Sequence, residues 1–296
     1  MKFSVVIPTY NRKDILRHCI EAATKQDYPD YEVIVADDGS TDGTEEMVRR
    51  EFPQVRYIRQ EVNRGPAAAR NRGIQAATGD FVAFTDDDCV PPPDWLARLA
   101  QGFIDYPQAA AVGGIQEAPE QVLRTHILAR YERFVTRKVY GLGKAPVIGS
   151  PAPGGTNNLA IRRQVLLEVG GFDETFPMAA GEDADLLRRL AQRGYVTVTL
   201  PLKVNHLQAY TWTSFFRQQI RRGIGAAYYH HKWEELPSAP RDILRLFLAP
   251  LVWARDTLRY HSPRMAAIHA LATTLQAWGR LQGRRHITQA VREVRG

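Results

Sequence analysis

Cysteine is nearly absent from this 296-residue chain, which has only Cys19 and Cys89, far apart in sequence. No CxxC pair exists, so a thiolate metal site, a redox motif and a disulfide framework are all disfavoured. The sparse use of cysteine points to a reducing compartment. No GxGxxG follows the first strand-like run, which argues against a nicotinamide or flavin dehydrogenase. GxxxxGK[ST] is also missing, so P-loop chemistry is disfavoured. No stretch reaches the ~18–20 apolar residues of a membrane span. The opening MKFSVVIPTYN is broken too early for a signal peptide, so the expected location is cytoplasmic. No internal repeat or low-complexity tract is evident.

Lysine is missing from one region, and that locates the charge. Residues 241–296 hold ten arginines, no lysine and three acids (Asp242, Asp256 and Glu293), which equals the net charge of +7 for the whole chain. The preceding 240 residues are therefore neutral. The high pI describes the tail rather than the body.

Short β-branched runs alternate with helical spacing through the first hundred residues. FSVVI (3–7), YEVIVA (31–36), VRYIR (55–59) and FVAFT (81–85) read as strands. Helices are expected over 13–25, 44–51, from Pro66 past Arg70, and near 93–103. The strand runs are continuously apolar, as in a sheet covered on both faces. The fold class is therefore α/β: a Rossmann-like, mostly parallel sheet flanked by helices, with a C-terminal helical extension. After Val112 the pattern weakens. Residues 119–140 look helical, and GSPAPGGTNNLA (149–160) is a loop leading into a strand. Residues 170–194 form a loop and an amphipathic helix, and VTVTL (196–200) is a strand. Residues 213–232 and 240–282 are largely helical, with a kink at Pro250. The expected division is 1–112, 113–223 and 224–296.

In such sheets ligands bind beyond the carboxyl ends of the strands. Three loops lie there: Pro8-Thr9-Tyr10-Asn11, Asp37-Asp38 and Asp86-Asp87-Asp88. The acidic triplet can bind a hard divalent cation such as Mg²⁺ or Mn²⁺. The plainer reading is a solvated turn. A carboxylate at Asp37-Asp38 can accept hydrogen bonds from a base or a ribose. Tyr10 can stack on a base, and Arg70 can pair with a diphosphate. Gly181-Glu182-Asp183-Ala184-Asp185 opens a helix, where an ionised carboxylate is stabilised and can serve as a general base. The plainer reading there is helix capping. His206 is a metal ligand or a structural histidine. Arg217, Arg221 and Arg222 either clamp phosphate or form a solvated basic face.

Seven stretches in order resemble the inverting family 2 glycosyltransferases of GT-A fold: VVIPTYNR (5–12), VIVADDGSTDGT (33–44), NRGPAAARNRGI (63–74), GDFVAFTDDD (79–88), GGFDE (170–174), GEDADL (181–186) and His206. The resemblance covers about residues 3–223. It implies 1–112 as the half that binds the nucleotide sugar, 113–223 as the acceptor and catalytic-base half, and 224–296 as a basic amphipathic tail. It implies that Asp38 holds the base, with Pro8, Thr9 and Tyr10 lining the pocket and Arg70 near ribose and diphosphate. Asp86, Asp87 and Asp88 match the DXD motif. Asp88 and His206 would ligate Mn²⁺ or Mg²⁺, with Asp86 nearer the ribose or a metal-bound water. Asp183 matches the catalytic base beside Glu182, while Gly155, Thr156 and Asn157 fall in the acceptor loop. Arg221 or Arg222 would steady the leaving diphosphate. The implied activity transfers a sugar from a nucleotide-diphosphate sugar, UDP by default, to a glycan or lipid-linked acceptor.

Processive members carry Gln-x-x-Arg-Trp, whereas Gln218 to Arg222 here ends in Arg-Arg. Non-processive transfer is therefore expected. A sugar-1-phosphate nucleotidyltransferase would need a Gly-rich basic loop after the first strand, and PTYNR is not one. A non-catalytic nucleotide-sugar scaffold would be expected to lose the base or metal acids, which are present. In the tail, arginines alternate with Ile243, Leu244, Phe247, Leu248, Leu251, Val252 and Leu258, and a second apolar series runs through Met265, Ile268, Leu271, Leu275 and Trp278. This pattern suits a peripheral membrane contact through 240–296 better than a nucleic-acid strip. The competing expectation is that these apolar faces pack on the catalytic body.

Overall fold

The computed structural model describes residues 1–139, 141–149, 155–176 and 180–295. The parts of the two expected loops at 150–154 and 177–179 lie outside the described residues. The first half runs β1 (Phe3–Thr9), α1 (Lys13–Ala23), β2 (Tyr31–Asp37), α2 (Thr44–Glu51), β3 (Arg56–Arg59), α3 (Pro66–Ala76), β4 (Phe81–Phe84), β5 (Cys89–Val90) and α4 (Trp95–Asp105). The second half runs β6 (Ala109–Glu117), α5 (Glu120–Thr125), α6 (Ile127–Phe134), β7 (Val147–Ile148), β8 (Leu159–Arg162), α7 (Arg163–Glu168), α8 (Glu182–Gln192) and β9 (Val196–His206). The tail runs α9 (Trp212–Lys232), α10 (Ala239–Phe247), α11 (Ala249–Tyr260) and α12 (Pro263–Arg295).

One nine-stranded sheet spans both halves, in the order β3-β2-β1-β4-β8-β6-β9-β5, with β7 paired to β9. The first four strands are parallel, and β8 runs antiparallel to β4 and β6. β1 is buried at every position, because helices cover both faces of the sheet. On one face Leu16 and Ile20 of α1 pack with Trp95, Leu99 and Phe103 of α4. On the other, Ile74, Leu166, Leu186 and Leu190 close the second layer.

Four strands depart from expectation. β6, AAAVGGIQE, has low strand propensity, yet it is central and buried. Its glycines permit close backbone approach: a Cβ on Gly114 would stand 2.1 Å from the Leu202 carbonyl oxygen. β5 and β7 have two residues each, too short for any periodicity. β9 runs on to His206, well past the expected Leu200.

The tail separates into two behaviours. α12 crosses α9 at small residues: a Cβ on Gly223 would meet the Gln276 carbonyl oxygen at 2.2 Å, and one on Gly279 would meet that of Ile220 at 2.2 Å. Ile268 and Ala272 of α12 join Leu128, Tyr131 and Phe215 in a small core. Packing on the body thus holds for Met265, Ile268, Leu271 and Leu275 of the second apolar series, whereas Trp278 is exposed. It does not hold for the first series, whose side chains on α10 and α11 include many that face outward. The chain breaks between α10 and α11 at Leu248, with Pro250 in the first turn of α11. Among the described residues no helix is long and apolar enough to cross a membrane.

Candidate active site

The loops after β1 and β2 are tied together. Asn11 takes φ 52°, a left-handed turn that asparagine tolerates better than most residues. Its amide donates to Ser40 Oγ at 2.8 Å, and its Oδ1 accepts from Thr41 N at 2.7 Å. Asp37 holds the turn by accepting from Ser40 N and Oγ and from the Tyr57 hydroxyl. Asp38 is buried, and its Oδ1 accepts from Gln60 Nε2 (2.6 Å) and Arg64 N (2.8 Å). Its Oδ2 accepts from Gly65 N alone, at 2.8 Å, which leaves acceptor capacity. Tyr10 is exposed at the same rim, and Pro8 is buried within β1.

Each carboxylate of the triplet has a cationic partner. Arg70 Nη2 meets Asp86 Oδ1 at 2.8 Å. Arg12 grips the other two, Nη1 to Asp87 Oδ1 at 2.8 Å and Nη2 to Asp88 Oδ2 at 2.9 Å. Thr9 Oγ1 also donates to Asp87, at 2.9 Å. His206 Nε2 lies 3.4 Å from Asp88 Oδ1. Strand pairing enforces that last contact, since β5 pairs Cys89 with His206 and the Leu207 amide donates to the Asp88 carbonyl at 2.7 Å.

The electrostatics separate these acids. Burial pushes Asp87 up to about 7, helped by the charges of Asp88 and Asp86 and opposed by Arg12. Burial acts on Asp88 as well, but the hydrogen bond and charge of His206, with Arg12, hold its carboxyl well below the usual range. Burial disfavours the charged form of His206, and Asp88 more than restores it, so His206 is raised.

A divalent cation fits these donors. Donor atoms of Asp88, Cys89 and His206 lie within 4.8 Å of one another. His206 Nδ1 is buried with no hydrogen-bond partner among the described residues. Carboxylate and imidazole together suit ions such as Mn²⁺.

The third wall is the N-terminus of α8. Gly181 caps it at φ 98°, placing Glu182, Asp183 and Asp185 in the first turn. Arg70 reaches here too, with Nη1 2.9 Å from Glu182 Oε1. Burial raises Glu182, and the neighbouring Asp183 charge adds to the shift. Asp183 Oδ1 accepts from the Ala184 amide at 2.8 Å. Gly155 faces Asp183: a Cβ there would stand 3.3 Å from Asp183 Oδ2. Thr156 beside it is buried, and Asn157 donates to Gln116.

A model of the family described as "Glycosyl transferase family 2" matches residues 4–170. The chain belongs to this family. It is a glycosyltransferase of GT-A fold. Glycosyltransferase AglE of Haloferax volcanii is 31% identical over 228 residues, which are 75% of this chain and 72% of that one. The glucosyl-dolichyl phosphate glucuronosyltransferase of the same organism is 30% identical over 184 residues, 58% of this chain and 56% of its own length. Among solved structures, the mannosyltransferase PcManGT from Pyrobaculum calidifontis, in complex with GDP-Man and Mn²⁺, superposes with a TM-score of 0.61. It shows 26% identity, and the match covers 92% of this chain and 73% of that one.

In this transferase one guanidinium joins the walls. Arg70 is only 3% exposed and touches both the triplet and the helix that carries Asp183. Arg221 and Arg222 stand exposed on α9. Sequence reasoning missed Arg12. Its signal was its place at the end of PTYNR, two residues after the exposed Tyr10.

Proposed function

We propose that this transferase moves a sugar from a nucleotide-diphosphate sugar to an acceptor hydroxyl, in one metal-dependent displacement that inverts the anomeric carbon. The carrying observation is the Arg70 bridge, which sets the acidic loop against the base helix. Asp38 accepts from the nucleotide base, while Pro8, Thr9 and Tyr10 line its pocket. Asp88 and His206 would hold a divalent ion, Mn²⁺ or Mg²⁺, with Asp86 toward the ribose. Lewis-acid stabilisation of the leaving diphosphate is the chemistry such an ion would supply when bound. Asp183 takes the acceptor proton as the acceptor oxygen bonds to the anomeric carbon. The carbon–oxygen bond to the diphosphate breaks, and its electron pair leaves with the nucleoside diphosphate. Arg221 or Arg222 steadies that departing charge. Gly155, Thr156 and Asn157 receive the acceptor.

UDP is the default nucleotide. A glycan or lipid-linked acceptor is supported by the dolichyl phosphate substrate in the name of the Haloferax relative. Transfer is non-processive, as Arg222 stands where a tryptophan would be needed. The same reading puts the chain at the cytoplasmic face of a membrane, touching it through 240–296. No nucleic acid is involved.

The test is calorimetric titration of UDP, GDP and dTDP, each with and without Mn²⁺. Micromolar binding of one nucleotide that needs Mn²⁺ and is lost in Asp88→Ala supports the reading and names the donor class. If none binds in a metal-dependent way, the triplet is a turn and the non-catalytic scaffold takes its place. Asp183→Asn should retain nucleotide binding and lose turnover by about 10²–10⁴-fold. Unchanged turnover removes Asp183 from the role.

A further inference from the structure

The α10–α11 segment is folded inside out for a water-facing surface. Its two acids point inward: Asp242 is 0% exposed and Asp256 is 1% exposed. Asp242 Oδ1 accepts from Arg280 Nε at 2.8 Å, with Arg245 and Arg284 also close. Asp256 pairs with Arg255 at 2.7 Å and lies 3.8 Å from His269. Its large apolar residues point outward instead. Phe247 is 74% exposed and Leu258 is 78% exposed, and Ile243, Leu244, Leu251 and Trp253 are exposed with them. So many exposed large apolar side chains on two consecutive helices mark an interaction site.

Charge selects the partner. Within 236–289 no carboxylate is exposed, because the only two acids there are buried. The exposed charge beside the apolar side chains includes Arg241, Arg255 and Arg259. A second copy of this face would bring arginine against arginine. An anionic bilayer surface complements both the apolar and the cationic parts.

We infer that α10 and α11 form the docking face for an anionic bilayer surface, with Phe247, Leu251 and Leu258 entering the headgroup boundary and the arginines meeting lipid phosphates. This deepens the membrane-contact part of the proposed function and does not depend on the transfer chemistry. The face also connects to the His206 side of the crevice. Tyr260, at the end of α11, packs edge-on against Phe134 at the end of α6, with centroids 5.2 Å apart. From α6, Glu132 accepts from Gln208, two residues beyond His206, at 2.7 Å.

The test is co-sedimentation of the full chain with vesicles of phosphatidylcholine alone and of phosphatidylcholine mixed with phosphatidylglycerol. The chain should partition onto the mixed vesicles and far less onto the neutral ones. The triple variant Phe247→Ser, Leu251→Ser, Leu258→Ser should lose about tenfold or more of that partitioning. Arg241→Glu with Arg259→Glu should lose about tenfold as well. Equal binding to both vesicle types, no binding to either, or a triple variant that binds like the parent overturns the inference. So does sedimentation of the parent as a dimer without lipid when the triple variant is monomeric, which would assign the face to a second copy. Circular dichroism and thermal unfolding of the same preparations show whether each variant is folded, and nucleotide titration with Mn²⁺ is run beside them. That titration separates the two readings: intact vesicle binding with no nucleotide binding overturns the transfer reading alone.

Discussion

Arg70 and Glu182, 112 positions apart in sequence, form a buried ion pair with Nη1 and Oε1 2.9 Å apart. The second fork of the same guanidinium holds Asp86 at 2.8 Å. The pair therefore fixes the distance between the loop expected to bind the donor diphosphate and the helix expected to supply the base. Its stability carries a pH dependence that can be worked out.

Glu182 has a folded-state pKa raised above its unfolded value. Between those values the folded chain holds more protons than the unfolded one. Its contribution is therefore fully present below the unfolded pKa and is lost as pH rises through the folded pKa. Urea unfolding of the parent should show this group's stabilisation declining from about pH 5 to pH 8. Glu182→Gln should flatten that part of the slope. Arg70→Met should cost up to about 3–5 kcal/mol at pH 8, where Glu182 must either stay charged and buried without its partner or take up a proton. At pH 5, where Glu182 carries its proton, the cost should be clearly smaller. An equal cost at both pH values would show that Glu182 does not titrate in this range.

The helix crossing in the tail gives a second prediction. A Cβ on Gly223 would meet the Gln276 carbonyl oxygen at 2.2 Å, and backbone cannot retreat as a flexible side chain can. Gly223→Ala should therefore destabilise the fold by about 1–3 kcal/mol, although alanine is the better helix former by about 1 kcal/mol. Thermal unfolding checks the sign. A stabilised variant would mean that α12 does not sit on α9 in solution.

The contrast between these two sites shows what the amino-acid pattern could convey. β1 to β4 and α1 to α4 were legible, because continuous β-branched runs and 3.6-residue spacing are local signals. β6 was not, since Ala109–Glu117 is a strand by virtue of close packing around Gly113 and Gly114. The acidic triplet was legible as a charge problem, but its partners in the fold were not. Arg12 and Arg70 lie in other loops and helices, and no local spacing says that they converge. Helical spacing in the tail revealed that Ile243, Leu244 and Phe247 share a face. It could not reveal that this face turns outward, because the inward face is chosen by the fit of Asp242 to Arg280.

Gly155 gives the last prediction. Its backbone is extended, at φ −77° and ψ 174°, so alanine would bring no conformational strain. The added methyl would stand 3.3 Å from Asp183 Oδ2, tighter than most such contacts, and 3.5 Å from Asn157 Nδ2, an ordinary van der Waals distance. A methyl cannot donate a hydrogen bond, and it would occupy space on the face of Asp183 from which an acceptor hydroxyl must approach. Gly155→Ala should leave the unfolding midpoint within about 0.5 kcal/mol of the parent. It should leave nucleotide binding unchanged, because Asp38 and Asp88 lie on other loops. Turnover should fall by about 10-fold or more, since a displacement near 1 Å at the reacting atoms is enough to cost that much. Steady-state kinetics alongside calorimetry distinguishes the outcomes. Loss of nucleotide binding in this variant would place Gly155 on the donor side, and unchanged turnover would mean that the acceptor reaches Asp183 from another direction.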